Sequence, residues 1–466
     1  IGSELRGLTQ IRGANDSFPF VDALIQLAGE VRAILGPETQ ISYAADWSEY
    51  HGYTPEGTGD KYFHLDPLWA DPNIDFIGID NYMPLSDWRD GTAHADADAG
   101  SIYNLDYLAT NVTAGEGYDW YYTSATARDA QRRTPITDGL ANEPWVYRYK
   151  DLPNWWTNRH YNRVDGVRDT APTAWEPQSK PFVFTELGCA AIDKGTNQPN
   201  KFLDPKSSES QLPHYSNGRR DDFMQMQYLR AMYQHYADPL NNPISTIYDK
   251  EMVDMRRAHV WAWDARPFPH FPGNQELWSD GDNYTRGHWL NGRSSSRTLA
   301  SVVAEVCERS GVSDYDVSEL YGLVRGYHVA DASSARAALQ PLMTTYGFEA
   351  AERDGTLVFT NRTGQPVTAL GVDDLAEDPD RPTAISLTRA PATEVANRVQ
   401  FEYLEAEADF EGAVSEIADP QSKVLGISRS GVPLSLTAAE GQAAVNRWLA
   451  ETRVGQDSLS FALPPS

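Results

Sequence analysis

The chain has 466 residues, 41% hydrophobic and 23% charged. That balance excludes disorder as the main state, and the length exceeds what one hydrophobic core usually serves, so two or more domains are expected. A formal net charge of −27 argues against nucleic acid or an anionic membrane as the main partner, and an uncharged partner such as a glycan fits better. Cys189 and Cys307 are too few for a disulfide framework or a Cys-rich zinc site. No apolar run of about 18 residues marks a transmembrane helix. The opening at Ile1, without Met or a charged leader, suggests a piece of a longer polypeptide.

In chain order, Asp16 or Ser17 is a candidate cap for a helix with Pro19 in its first turn. Val21, Leu24, Ile25, Ala28, Val31 and Leu35 follow at helical spacing, and Gly36-Pro37 stops it. Four short apolar runs come next. Ile41 to Ala45 ends in Asp46, Ile74 to Ile79 in Asp80, Pro181 to Thr185 in Glu186, and Ala258 onward in Trp263. A helix bearing Phe223, Met226, Leu229 and Tyr233 lies between the last two. Apolar strands alternating with helices predict a parallel sheet. Carboxylates and aromatics at the strand ends predict an α/β fold of the (β/α) TIM-barrel type, with its chemistry at those ends.

Composition then changes. Twelve of the 13 Trp and 19 of the 24 Tyr precede residue 290, and polar Asn291 to Ser296 reads as a linker. The expected division is a barrel-like domain at 1–296 and a smaller α+β module at 297–466. In the module, Leu299, Val302, Val303 and Val306 form a helical stripe. Ser333 or Ser334 is a candidate cap for a helix ending at Gly347. Phe348 to Phe359 reads as a hairpin around Asp354-Gly355, a pair suited to positive φ at both central residues. Ala384 to Leu387 and Val399 to Tyr403 read as β. Thr437 and Glu440 form a capping box for a last helix.

Glu4 and Glu186 are the candidate catalytic pair. Each ends an apolar stretch, and two carboxylates on different strand ends can face each other across a sugar ring. Trp47, Asp80, Tyr82, Trp261 and Trp263 are candidate substrate-binding residues, because flat aromatic faces at strand ends suit the C–H face of a sugar. One of Trp261 and Trp263 is expected in the core. The stretch from Trp88 to Trp175 also holds many aromatics, as a glycan surface or as its own packing. No His-Glu-x-x-His spacing, phosphate loop or Gly-x-Ser-x-Gly elbow is found, so neither metal nor cofactor is expected.

Residues 1 to about 290 resemble the TIM-barrel-like domain of the gene transfer agent tail-tip (baseplate) family. The resemblance lies in Ile1-Gly-Ser-Glu-Leu-Arg-Gly-Leu-Thr9, Ser42 to Tyr50, Asp75 to Leu85, Pro144 to Asp151 and Trp261 to Pro269. That domain is itself similar to retaining barrel glycoside hydrolases, which implies acid/base Glu4 after strand 4 and nucleophile Glu186 after strand 7. Asn142-Glu143-Pro144 imitates the acid/base motif of such enzymes, but it follows no strand and lies close to Glu186. Residues from about 297 resemble the hub region of phage tail proteins, through Val324 to Tyr327, Ala335 to Leu342 and Phe348 to Gly355. The resemblance implies a particle tail-tip location, other tail or baseplate proteins as partners, a homotrimer, and a host surface or peptidoglycan-associated glycan as substrate. It also implies that strands 1–3 precede this chain, which would supply strands 4–8, and that more hub sequence follows. Ser3 stands where many such enzymes carry Asn. That leaves a catalytically inactive, glycan-binding or structural barrel as the alternative.

Overall fold

The structure is a computed structural model that describes residues 1–464 except 209, 331–333, 365–367, 377–382, 392–394, 409 and 421–425. The chain divides into two compact units, the first Ile1–Asn291 and the second from Gly292 onward.

In the first unit, helix α1 (Pro19–Leu35) buries Val21, Leu24 and Ala28. Its cap is Phe18, with no side-chain hydrogen bond, rather than Asp16 or Ser17. Pro19 makes that cap dispensable, since it brings no N–H and its φ is already helical. Strands β1 (Ala44–Asp46), β2 (Ile77–Asn81) and β3 (Phe182–Leu187) form a parallel sheet in that order. Every residue of β2 is buried, as expected for a central strand covered on both faces. Helix α2 (Asp222–Ala237) is capped by the Asp221 side chain, which accepts from Met224 N.

The sheet extends at both edges by single parallel bridges rather than by full strands. Ser3 pairs with Ala44 on one side, while Val253 and Val260 pair with Phe182 and Leu187 on the other. Five segments therefore follow one another in barrel order, but the described residues form no closed barrel. The strand expected to end at Glu4 and the one expected from Ala258 to Trp263 are corrected to these bridges. A helical turn begins at Arg6 directly after the first bridge. A 3-10 turn, Met255–Arg257, capped by Asp254, interrupts the last segment between its two pairings.

The region between β2 and β3 is packed by its own aromatics. Trp145, Trp155, Trp156 and Trp175 are all buried. The Trp155 ring lies 4.9 Å from Trp175, 5.5 Å from Phe182 and 5.7 Å from Tyr50. His160 stacks on Phe63 at 4.3 Å, and its ring nitrogens bond the Asp66 carboxylate at 2.8 Å and the Trp155 carbonyl at 2.7 Å.

The second unit has its own core around Leu299, Val303, Leu342, Phe348, Phe401 and Val445. Helix α3 (Leu299–Arg309) is capped by Thr298, and α4 (Ala335–Tyr346) by Ser334; Ser333 lies outside the described residues. The hairpin runs from Phe348–Arg353 to Thr356–Asn361, with φ of 52° at Asp354 and 85° at Gly355. A four-stranded sheet takes the order Gly326–Tyr327, Ile427–Leu436, Arg398–Glu405, Gly412–Ala418. Helix α5 (Ala438–Val454) starts at the capping box of Thr437 and Glu440. Glu440 also pairs with Arg325 at 3.0 Å. Thr437→Ala is expected to destabilise this unit by about 1 kcal/mol, the usual worth of such a cap. The measurement is the urea midpoint; Thr437→Ser, which keeps the acceptor oxygen, should stay near wild type.

Candidate functional site

The C-terminal ends of the parallel segments bring three carboxylates together. One oxygen from each of Glu4, Asp80 and Glu186 lies within 4.8 Å of the others. Each is delivered by a different neighbouring segment. Glu4 follows the bridge at Ser3, with its backbone N–H bonded to the Ala44 carbonyl at 2.8 Å and a φ of 50°. A positive φ is uncommon for a residue with a Cβ, and such positions cluster at functional sites. Asp80 lies in β2. Glu186 lies in β3 just after a bulge: Phe184 pairs with Ile79 and Glu186 with Asp80, leaving Thr185 as the extra residue. Bulges of this kind re-aim side chains beside active sites. Here the bulge lets Thr185 and Glu186 both serve the cluster.

The hydrogen bonds differ from one carboxylate to the next. Asp80 accepts from Ser3 Oγ at 2.9 Å and from Thr185 Oγ1 at 2.7 Å. Glu186 Oε2 accepts from the Tyr82 hydroxyl at 2.6 Å. Tyr82 is buried and meets the His288 ring edge to face at 5.4 Å. Glu4 has charged neighbours and no comparable donor: Asp80, Asp46, Glu186 and Glu49 all disfavour its ionised form. Behind it, Tyr43 donates to the buried Glu49 carboxylate at 3.0 Å and accepts from Leu5 N at 2.7 Å.

These surroundings push the acids upward. Partial burial, then the four like charges, raises Glu4 to about 7. Burial also raises Glu186 to about 7, against the Tyr82 hydrogen bond and with a contribution from Asp80. Burial raises Asp80 despite the two hydroxyl donors. Burial raises Glu49 to about 7 as well.

A carboxyl whose folded pKa exceeds its ordinary 4.5 keeps its proton more tightly in the folded state than in the unfolded state. Its stabilising contribution is full below pH 4.5 and is lost as pH rises through 7. Glu186→Gln removes that loss. The variant should therefore melt above wild type at pH 8, by about 1 kcal/mol after solvent screening, and level with it at pH 4. Thermal melts at pH 4, 6 and 8 read the difference; an equal gap at all three would contradict it.

The other candidate residues distribute around this cluster. Trp47 follows β1, bonds the Asp80 carbonyl through its backbone N–H at 3.1 Å, and is partly buried against Tyr149, ring centroids 4.9 Å apart. Trp261 bonds Leu187 O at 2.9 Å. Trp261 and Trp263 are 49% and 66% exposed, so neither is the expected core residue of that pair. The broken last strand removes the alternation that would have buried one of them. Glu143 stands apart, held by Arg163 at 2.7 Å and Arg168 at 2.8 Å. Thr185, Glu49, Tyr43 and His288 escaped the sequence reading. Only Thr185, adjacent to Glu186, carried a local signal. The three clustered carboxylates have the donor type for a hard cation, although exposed acidic groups commonly gather without one.

The chain belongs to the GTA TIM-barrel-like domain family, whose model matches residues 1–272. A second family model, putative phage tail protein, matches residues 334–466. The two models together make the chain a gene transfer agent or phage-type tail protein. Among solved structures it is similar to a chain of the virion of a native gene transfer agent particle, at 48% identity and a TM-score of 0.39. That match covers 40% of this chain and 43% of the other, so it spans less than half of that relative's length. It is also similar, at 15% identity and a TM-score of 0.26, to the tail protein from Neisseria meningitidis MC58, over 35% of this chain and 50% of that one. A 43 kDa tail protein of prophage MuSo2 from Shewanella oneidensis matches at 16% identity and a TM-score of 0.23, over 36% and 50%. No curated protein matches the sequence. Among the described residues no helix is long and apolar enough to cross a membrane.

Proposed function

We propose that the first unit hydrolyses a host surface or cell-wall glycan by a retaining mechanism, with Glu186 as nucleophile and Glu4 as acid/base. The observation that carries this reading is the convergence of the two carboxylates within 4.8 Å. That upper bound is short of the ~6.5–9.5 Å that inverting enzymes need for a water, which supports the closer ~5–5.5 Å type of arrangement of retaining enzymes. The surroundings favour one division of labour. The Tyr82 hydroxyl supports negative charge on Glu186, while burial and then the surrounding carboxylates favour the proton on Glu4, which has no such donor among the described residues. The Glu186 carboxylate attacks the anomeric carbon as the C–O bond to the leaving group breaks, and Glu4 gives its proton to that oxygen. Water then yields a proton to Glu4 and its hydroxyl to the anomeric carbon, which frees Glu186. Trp47, Trp261 and Trp263 would offer aromatic faces to the sugar.

The putative phage tail match supports contacts of the second unit with other tail proteins, and we propose that it makes them as a homotrimer. Light scattering of the whole protein showing only monomer would count against it. One observation favours a second reading, in which the barrel unit binds glycan without cutting it. Ser3 commits its hydroxyl to Asp80, and no Asn precedes Glu4 to hold a sugar hydroxyl. Release of new reducing ends from bacterial surface polysaccharide decides between the two. Release that follows the protein through purification supports hydrolysis; binding without release supports the second reading.

A further inference from the structure

A cavity of about 1030 Å³ opens in the region between β2 and β3, away from the carboxylate cluster. Its volume matches the upper end of small-molecule sites. Tyr121, Tyr147 and Tyr149 form aromatic walls, and Thr54, Thr58 and Thr137 add hydroxyls. Tyr121 is 45% exposed, so its ring is available to a ligand.

The charged side of the cavity is already neutralised and rigid. Arg163, itself buried, donates to Asp138 Oδ2 at 2.7 Å and to Glu143 Oε2 at 2.7 Å. Arg168 donates through Nε to the same Glu143 oxygen at 2.8 Å, and its guanidinium lies 3.6 Å from the Tyr161 ring centroid. Glu116 is paired with Arg128 at 2.9 Å. With its lining charges paired, the cavity offers little net charge to an ion. Its apolar faces combined with fixed dipoles suit a ligand whose faces are C–H and whose edges are hydroxyl. A fatty chain would leave the threonine hydroxyls and the ion pairs without polar contacts.

The Tyr149 ring also meets the Trp47 ring edge to face at 4.9 Å, and the Trp47 backbone N–H bonds the Asp80 carbonyl. We infer that this cavity is a second carbohydrate site that holds an uncharged oligosaccharide segment on Tyr121, Tyr147 and Tyr149. The inference rests on the proposed glycan reading for the class of ligand and does not depend on cleavage.

The probe is a printed array of neutral bacterial surface oligosaccharides and peptidoglycan-derived saccharides, read with the labelled whole protein. The strongest binder is then titrated by calorimetry. Tyr121→Ala should weaken it at least tenfold relative to wild type, with an unchanged melting temperature. Tyr147→Phe keeps the ring and should retain binding, which separates ring stacking from a folding defect. No array binding, equal binding by wild type and Tyr121→Ala, or displacement by decanoate but not by saccharide overturns the inference. Binding without cleavage upholds the cavity and rejects hydrolysis. Cleavage that Glu186→Gln abolishes, with affinity unmoved by Tyr121→Ala, upholds hydrolysis and rejects the cavity.

Discussion

Glu186→Gln is expected to lower the rate of glycan cleavage by at least about 10³-fold, because the amide cannot form the covalent bond to the anomeric carbon. Glu4→Gln should cost about 10²–10⁴-fold on a natural linkage, the range for a lost general acid. A leaving group dividing the two roles makes the result diagnostic. A dinitrophenyl glycoside departs without a proton, so Glu4→Gln should cleave it at near wild-type speed in the first step, and Glu186→Gln should not. Both carboxyls are raised to about 7, so activity should peak near that pH and fall on either side. The two limbs belong to the coupled pair rather than to either residue. Tyr82→Phe removes the donor to Glu186 and should shift the profile upward. Equal losses on both substrates for Glu4→Gln and Glu186→Gln would overturn the assignment of roles.

The second large effect is structural. Trp155→Ala should destabilise the first unit by about 3–5 kcal/mol, the range for deleting a large buried aromatic. That is a sizeable part of the ~5–15 kcal/mol that holds a typical domain folded. Trp155 is completely buried and touches the rings of Tyr50, His160, Trp175 and Phe182. These come from four separate stretches of chain, so relaxation of one cannot fill the void. Guanidinium denaturation followed by tryptophan fluorescence reports the first unit, since 12 of the 13 Trp precede residue 290. A loss below about 1 kcal/mol would show that the ring cluster is not the structural centre of this region.

What could be read from the sequence follows from what is local. The apolar run Ile74 to Ile79, ending in Asp80, reads as a buried parallel strand, and the strand that forms, Ile77–Asn81, is buried throughout. The Asp354-Gly355 turn and the Thr437 box need only a few neighbouring residues. The bulge at Thr185 is different: it is a matter of register against β2, and no pattern within β3 encodes it. The shortened pairing of the last segment likewise involves a turn capped by Asp254 just ahead of Ala258, outside the apolar run that reads as a strand. The aromatics between Trp88 and Trp175 divide by tertiary placement, with Trp155 and Trp175 in the core and Tyr121 at a cavity wall. Composition treats them alike. Glu4 could be nominated from its position at a segment end, but its field of four acids was assembled by residues up to 182 positions away.

His160 ties remote stretches together. It joins the Asp66 carboxylate, at the start of a short helix after β1, to the Trp155 carbonyl, and stacks against Phe63 on one side and Trp175 on the other. Peeling residues 152–160 away from the sheet therefore breaks, in a single event, the buried His160–Asp66 bond, the contacts of Trp155 with Tyr50, Trp175 and Phe182, and those of His160 with Phe63, Trp145 and Trp175. Such an opening has little reason to occur short of the cooperative unfolding of the whole unit. The 3-10 turn Gly139–Ala141 buries none of its residues, and its flanks Asp138 and Glu143 are both paired with Arg163. A displacement confined to that exposed turn would leave the ring cluster behind it untouched, so the integrity of the fold rests on the His160 ties and not on the turn.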